Sequence, residues 1–515
     1  MKYLKFDFKS KESIVFFFIL IIAFLIRFYH LGFRDLWYDE AITLYKLPSF
    51  SFLKAWDPPF YYALLAVWVK VFGFSETSLR FPSLLFSLAS VPVTFLLGKE
   101  IFNKQVGLYA SLIIALSPFQ IWYAQEARAY SMLLFFGISS AYFQYLFINR
   151  KHNKYLIYYT ILAIFGVYIH PYYIFFVIAQ LVCHLIYCER KYFKKILFIY
   201  LLIFFSFVPL FHKYALRLSY VIEGFWIPLP TAKSIFLSIN NFFLGYNGDN
   251  YAYLASGVLV LVLFISAICF VLQDKSLSRG FTFCLLLFIL PMSAAFLFSR
   301  SLVPIYLDRG LIICTPYYYL ILGVGIYGFR RKTVKIFFII SILLLFIMGI
   351  DNLIKDRMPT EISHHIGVHL KKPIKPAVEF ININSGPYDL VAFTNNSVMF
   401  PFIWYSLNND INCYYSYIEN EYLFPGRYRF LSAPGYLGPS YKQPIKENKL
   451  NMAINRANEL QFRNLWVLSC DWPRNTNLDK DSEGVIKWLD DNFVLKNKFE
   501  FDGLWVYQYA KQRTD

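Results

Sequence analysis

The chain has 515 residues, of which 57% are hydrophobic, 21% aromatic and only 16% charged. A soluble domain has about 45–50% apolar and about 25% charged residues, so this composition excludes an ordinary soluble protein and indicates a membrane protein. The formal net charge of +17 does not point to a nucleic-acid partner here, because in a membrane protein basic residues report topology.

Residues 1–350 consist mostly of apolar segments. A membrane-crossing helix needs about 20 apolar residues, and by this criterion the sequence predicts about eleven spans. They are residues 13–30, 82–101, 105–122, 131–148, 154–169, 171–188, 195–212, 251–272, 280–299, 303–327 and 333–350. The first segment lacks a small-residue cleavage site, so we predict a retained helix and not a signal peptide.

Residues 31–80 form one long loop between the first two predicted spans. Within it, the segment 58–73 is apolar but short for a span and rich in aromatic residues. We therefore predict that it lies as a helix in the plane of the interface, together with the region 34–47.

The distribution of Lys and Arg predicts the topology. If the N-terminus is cytoplasmic, basic residues concentrate in the cytoplasmic connections, around residues 99–104, 150–154, 190–195, 275–279 and 330–335. This agrees with the positive-inside rule. An odd number of spans places residues 351–515 outside, and we predict a multi-pass protein of the bacterial plasma (inner) membrane.

The C-terminal segment 351–515 has a different composition. Short β-like runs at 388–394, 464–470 and 503–510, with a helical pattern at 482–493, predict a small extracytoplasmic α/β domain. Cys413 and Cys470 lie in this segment and could pair if it is exported, a point that the sequence leaves open.

Ionisable residues gather near the outer ends of the predicted spans. Charges near membrane depth are costly, so such a cluster is a functional-site hypothesis by default. Its members are Asp35, Asp39, Glu40, Asp57, Glu126, Arg128, His170, Arg300, Asp308 and Arg309. Any one of them is also explained as a solvated loop charge, whereas the set as a whole favours a site.

Asp39 and Glu40 are candidates for a general base that removes a proton from an acceptor hydroxyl. Neighbouring side chains on a helix point about 100° apart, so one carboxylate can face a cavity while the other binds the scaffold. The alternative is that both only complement the dipole at a helix N-terminus.

The other candidates have two interpretations each. Glu126 and Arg128 fit a base or metal carboxylate beside a phosphate clamp, or a salt-bridged loop. Arg300 and Arg309 suit phosphate oxygens, because arginine binds them with a planar fork. Asp57 precedes two prolines, and His170 lies in IHPYY. Together they could hold a divalent metal ion; alternatively, Asp57 is a turn residue and His170 is a structural histidine.

Four motifs resemble those of the C-superfamily membrane glycosyltransferases, and most closely the bacterial family 39-like proteins. They are WYDEA (37–41), DPPFYY (57–62), SETSLRFPSLLFSL (75–88) and SPFQIWYAQEARAYSMLL (117–134). The family also includes protein O-mannosyltransferases and lipid A aminoarabinose transferases. The resemblance extends over residues 10–190, and the later spans share only the general pattern.

The resemblance implies an all-α polytopic bundle whose large first outer loop carries a catalytic Asp. It implies a polyprenyl-phosphate sugar donor and transfer of a single sugar with inversion to a lipid, glycan or protein acceptor. Asp39 then corresponds to the base, with Glu40 as its neighbour and Glu126 as a second acid, and Arg128 and Arg309 bind phosphate. Asp57 stands where relatives often have His, which leaves a metal requirement open.

Two other classes of function compete with a single-sugar transferase. A transporter or flippase would place charges near the bilayer midplane and would tend to show two related halves, and the sequence shows neither. A ligase that transfers a whole lipid-linked glycan shares the same chemistry and is poorly separated by sequence.

Overall fold

The computed structural model describes residues 11–47, 59–222, 227–246, 249–357, 371–386, 388–394, 396–407, 429–430, 462–470 and 477–511. Its helices are α1 Lys11–Phe28, α2 Tyr38–Lys46, α3 Pro59–Phe72, α4 Glu76–Ile101, α5 Lys104–Leu116, α6 Pro118–Ala124, α7 Tyr130–Arg150, α8 Asn153–Val167, α9 Tyr173–Tyr187, α10 Phe193–Ile222, α11 Ala232–Leu244, α12 Asn250–Gln273, α13 Ser278–Ser301, α14 Thr315–Gly328, α15 Lys332–Ile354, α16 Ile374–Asn384, α17 Asn396–Ser406 and α18 Asn477–Asn492. Its strands are β1 Leu390–Phe393, β2 Arg429–Phe430, β3 Leu465–Cys470, β4 Phe493–Phe501 and β5 Leu504–Lys511.

Each predicted span overlaps a helix, although residues 303–309 of the span 303–327 are not helical, and the number of spans is not confirmed. Among the described residues, 7 helices are long and apolar enough to cross a membrane, or up to 8 if the bent pair α5 and α6 is one span. The predicted helix at 58–73 is α3, and the region 34–47 contains the short helix α2. Helix α11 was not predicted, because its run of 13 residues is too short for the criterion that identified the spans.

Helices α14 and α7 lie at the centre of the bundle, where nearly all their side chains are buried. Helices α10 and α15 instead expose large apolar side chains such as Phe204 and Phe337, as expected for helices that contact lipid.

Helices α4 and α5 approach closely through Gly98 and Gly107. A Cβ added to Gly98 would lie 2.7 Å from Cα of Gly107, so this contact requires small residues.

A break between α5 and α6 directs the chain into the loop that carries Glu126 and Arg128. The two helices are bent by 57°, which frees carbonyl groups at the end of α5. Arg27 of α1 donates to two of these carbonyls, that of Ile114 at 2.9 Å and that of Ala115 at 2.6 Å. A buried guanidinium thus satisfies the backbone groups that the break leaves without helical partners.

The C-terminal segment contains a five-stranded sheet in the order β2-β1-β3-β5-β4. Strand β1 is parallel to β2 and β3, whereas β5 is antiparallel to β3 and β4. The predicted strands correspond to β1, β3 and β5, but β2 and β4 were not predicted. Asp502 and Gly503, with φ of 44° and 74°, connect β4 to β5, and Asp-Gly is a typical hairpin signal.

The predicted boundary between residues 350 and 351 falls inside α15, which ends at Ile354; the division into two domains stays a prediction. Cys413 lies outside the described residues, as does the side chain of Cys470, so their pairing also stays a prediction.

Candidate functional site

The candidate site is built around the first turn of α2. Trp37 is extended, with φ −97° and ψ 175°, and the helix begins at the next residue. Asp39 and Glu40 both lie in the first turn, where negative charge is favoured by the helix dipole. Their side chains nevertheless point to different surroundings, as expected for adjacent helical positions.

Glu40 points inwards and is completely buried. Its two carboxylate oxygens accept hydrogen bonds from Nε and Nη2 of Arg80, at 2.8 and 2.9 Å, and Oε1 also accepts from the backbone N–H of Ala127 at 2.9 Å. Burial by itself would raise the pKa of Glu40, but the positive charges of Arg80 and Lys371 outweigh it and lower this pKa to about 2. Glu40 is therefore ionised near neutral pH and joins the 125–129 loop to α4, and this geometry suits positioning better than proton transfer.

Asp39 is partly exposed, and two arginines lie beside it. Its Oδ2 is 3.2 Å from Nη1 of Arg309 and 3.9 Å from Nη2 of Arg128. The exposed fractions of the three side chains are 18% for Asp39, 12% for Arg309 and 20% for Arg128. All three are thus within reach of a ligand, in contrast to Glu40.

Other side chains fix the direction of the two arginines. Nη1 of Arg128 donates to the hydroxyl oxygens of Thr43 at 3.1 Å and Tyr62 at 3.2 Å. The guanidinium of Arg309 lies over the ring of Tyr130, with its Cζ 5.7 Å from the ring centroid, a cation–π geometry. Two guanidinium groups from distant parts of the chain are thus held around one carboxylate.

Glu126 is buried next to this group. Its Oε1 accepts a hydrogen bond from the indole N–H of Trp122 at 2.7 Å, while Oε2 has no hydrogen-bond partner among the described residues. Burial raises the pKa of Glu126 to about 7, although Lys371 and Arg309 oppose this effect with their positive charges. A carboxyl group with this pKa can be neutral or ionised near neutral pH.

His170 lies at the edge of the cluster. Its ring is 5.7 Å from the ring of Tyr130, and its Nδ1 accepts a hydrogen bond from the backbone N–H of Tyr172 at 3.3 Å. The other predicted metal ligand, Asp57, lies outside the described residues. Within the described ranges there is no group of three His, Cys, Asp or Glu residues that could hold a metal ion, so the Asp57–His170 pair stays a prediction.

Arg300 lies apart from the other predicted phosphate binders. It is exposed in the last turn of α13, and no contact in the described part of the chain connects it to Asp39 or Glu126. Its role in phosphate binding stays a prediction.

Asp308 anchors the loop that carries Arg309. Its carboxylate accepts hydrogen bonds from the hydroxyl of Ser238 and, at 2.6 Å, from the side-chain amide of Asn241, both on α11. Burial raises the pKa of Asp308 to about 6. The unpredicted helix α11 thus takes part in positioning Arg309.

Two functional residues were missed by the sequence analysis. Arg80 lies one turn after Glu76 near the start of an otherwise apolar helix, and the rule that a charge at this depth needs a buried partner could have identified it. Lys371 is separated by 331 residues from Glu40, and no local pattern indicates their contact.

Taken together, these side chains can perform two chemical tasks. A partly exposed carboxylate can accept a proton, and two arginines within 4 Å of it can bind an anion with charge-assisted hydrogen bonds. The buried pair Glu40–Arg80 holds the segments that carry Asp39 and Arg128, and Asp308 holds the loop that carries Arg309.

Part of the chain is similar in sequence to known proteins. Residues 57–212 match the family model described as dolichyl-phosphate-mannose-protein mannosyltransferase. A protein of Aquifex aeolicus (strain VF5), described as uncharacterized, is 29% identical over 147 residues, or 26% of this chain. This chain spans only 30% of the length of that relative.

The fold is similar to that of two solved membrane proteins. ArnT from Cupriavidus metallidurans in the apo state gives a TM-score of 0.57 at 10% identity, over 96% of this chain and 97% of that chain, and its undecaprenyl phosphate-bound form gives 0.56. The Archaeoglobus fulgidus oligosaccharyltransferase in its apo form gives 0.54 at 12% identity, over 100% of this chain and 76% of that chain. The chain therefore has the fold of the C-superfamily membrane glycosyltransferases, and the family match over residues 57–212 confirms the resemblance that its motifs indicated.

Proposed function

We propose that this protein is an inverting glycosyltransferase that moves a single sugar from a polyprenyl-phosphate donor to an acceptor on the extracytoplasmic face of the membrane. The observation that carries the proposal is the cluster of Asp39, Arg309 and Arg128, in which a partly exposed carboxylate lies 3.2 and 3.9 Å from two guanidinium groups. The mannosyltransferase family match and the undecaprenyl phosphate bound to ArnT support a lipid-linked donor.

In the proposed step, Asp39 accepts the proton of an acceptor hydroxyl while the hydroxyl oxygen forms a bond to the anomeric carbon. The bond between that carbon and the phosphate oxygen breaks, and its electron pair leaves with the phosphate. Arg128 and Arg309 stabilise the negative charge that increases on the leaving group. Attack from the side opposite to the phosphate inverts the anomeric configuration.

The location of the site fits a donor that cannot leave the bilayer. Asp39 follows α1, Arg128 precedes α7, and Arg309 lies between α13 and α14, so all three are near helix ends and not in the middle of a span. A polyprenyl chain can stay in lipid while its phosphate reaches these residues at the level of the headgroups. The acceptor is a lipid, a glycan or a protein.

The proposal is tested by reconstituting the purified protein in liposomes with polyprenyl-phosphate sugars and measuring sugar transfer. We expect that Asp39→Asn abolishes transfer without loss of folding or insertion. Asp274→Asn is the matched control, because this aspartate is exposed after α12 and accepts hydrogen bonds only from its neighbour Ser276 among the contacts described. Normal transfer by Asp39→Asn would refute the assignment of the base.

Three further measurements define the reaction. The mass of the product separates transfer of one sugar from transfer of a whole glycan, the alternative that the fold similarity to an oligosaccharyltransferase favours. Transfer before and after treatment with a chelator tests whether Asp57 and His170 hold a divalent ion. Comparison of the surface glycolipids of a deletion strain with those of its parent identifies the acceptor class.

A further inference from the structure

A lysine from the C-terminal part of the chain lies inside the candidate site. Lys371 stands three positions before α16, and its side chain is only 6% exposed. Its Nζ lies 3.2 Å from Oε2 and 3.3 Å from Oε1 of Glu40, and it donates a hydrogen bond to the carbonyl oxygen of Gln125 at 2.9 Å. Lys371 therefore contacts both the α2 anion and the residue directly before Glu126.

Further contacts hold the part of the chain that follows Lys371 against the same side of the bundle. The backbone N–H of Lys375 donates to Oδ2 of Asp35 at 2.8 Å, and its Nζ lies 2.6 Å from Oε1 of Glu76. The hydroxyl of Tyr405, on α17, donates to Glu76 at 2.9 Å and accepts from the N–H of Leu36 at 2.8 Å. Lys375 and Tyr405 thus dock α16 and α17 on the residues that precede α2 and on the start of α4.

We propose that Lys371 is a positioning residue of the site, through which the C-terminal segment fixes Glu40 and sets the charge carried by Glu126. The role in catalysis rests on the proposed function, whereas the effect on Glu126 rests on the positive charge of Lys371, which is held against the adjacent Gln125. The C-terminal segment then completes the site and does more than cover the bundle.

The charges around the two groups explain how this works. Glu126 is influenced by Lys371, Glu40, Arg309 and Asp39, and Lys371 by Arg80, Glu40, Glu126 and Arg34. Burial lowers the pKa of Lys371 and raises the pKa of Glu126. Two positive charges, those of Lys371 and Arg309, oppose the rise in the pKa of Glu126, and Lys371 has the larger effect. Without Lys371, Glu126 keeps its proton to a higher pH.

The thermal unfolding midpoint of the full-length protein in detergent, measured from pH 5 to 9, tests the proposal without any substrate. Folding raises the pKa of Glu126 from 4.5 to about 7, so the folded state binds more protons between these values. The midpoint must then fall as the pH rises through this window, and the fall must end near pH 7. Glu126→Gln identifies this contribution by removing it.

We expect Lys371→Met to move the end of this fall upwards by about one pH unit, because an opposite charge typically shifts a carboxyl pKa by about 1–3 units. Lys371→Arg keeps the positive charge and should restore the wild-type profile. Lys372→Met is the matched control, since the Nζ of this adjacent lysine reaches the carbonyl oxygen of Asp502 instead, at 3.4 Å.

An unchanged profile in Lys371→Met would overturn the proposal, and so would an equal shift in Lys372→Met. If Lys371→Met does not fold, the profile of Lys371→Arg decides: a wild-type profile supports the proposal and an upward shift overturns it. Binding of undecaprenyl phosphate to the wild-type protein is measured separately. Its absence would count against the proposed function and would leave the result for Lys371 intact.

Discussion

Nη1 of Arg309 lies 3.2 Å from Oδ2 of Asp39, although 270 residues separate them in the chain. This contact joins the loop between α13 and α14 to the first turn of α2. A bound phosphate would share the guanidinium with Asp39, and the carboxylate would then be free to accept a proton. Under the proposed function, the ion pair is the resting form of two groups that separate their tasks when the donor binds.

Replacing Arg309 should weaken the binding of the phosphate group. We expect Arg309→Gln to reduce the affinity for undecaprenyl phosphate about tenfold or more, because hydrogen bonds to charged groups contribute about 1.5–3 kcal/mol. Binding is measured by titration in detergent. Arg279→Gln is the control, because Arg279 is exposed near the start of α13 whereas Arg309 lies beyond the end of this helix. An equal loss of affinity in both variants would contradict a specific role for Arg309.

Glu126 should make phosphate binding depend on pH. Burial raises the pKa of Glu126 to about 7, so the carboxyl group is neutral below this pH and negatively charged above it. The affinity of the wild-type protein for undecaprenyl phosphate should therefore decrease above pH 7, when the anion repels the phosphate. Glu126→Gln stays neutral and should show a smaller decrease; identical pH profiles would contradict the prediction.

Removing the charge of Glu40 should destabilise the protein strongly. Glu40→Gln leaves the buried Arg80 and Lys371 without their shared anion, and breaking a buried pair typically costs about 3–5 kcal/mol. The free energy of unfolding is measured by titration with a denaturing detergent. Glu100→Gln is a matched control, because the Glu100–Arg150 pair is more exposed, at 23% and 29%, and should cost about 1 kcal/mol or less. Similar costs for both variants would argue against the scaffold role of Glu40.

Asp308 should act on phosphate binding through Arg309. In Asp308→Asn, an NH2 group replaces one of the two carboxylate oxygens that accept hydrogen bonds from Ser238 and Asn241. An NH2 group donates and does not accept, so the loop that carries Arg309 loses part of its attachment to α11. We expect a loss of affinity for undecaprenyl phosphate of about three- to tenfold, equivalent to about 1 kcal/mol for one hydrogen bond. Full affinity in this variant would show that Arg309 is positioned independently of α11.

Local patterns predicted much of the architecture. The runs of apolar residues identified the helices of the bundle, because a segment that crosses lipid must be apolar and must satisfy its backbone hydrogen bonds internally. The alternation of short β-like runs identified β1, β3 and β5. Helices α11, α16 and α17 and strands β2 and β4 were missed. Helix α11 is too short for a span, and β4 is an exposed edge strand without a clear apolar alternation.

The sequence by itself determined that this is a membrane protein with acids and arginines concentrated near helix ends, because composition and hydropathy are properties of the chain. Only the tertiary structure decided which of two adjacent acids is accessible: Glu40 turns inwards to Arg80, and Asp39 turns towards Arg309. It also brought Lys371 to Glu40 across 331 positions. Such partnerships depend on how distant segments pack, and the Coulomb energy that selects them depends on distances that no local pattern encodes.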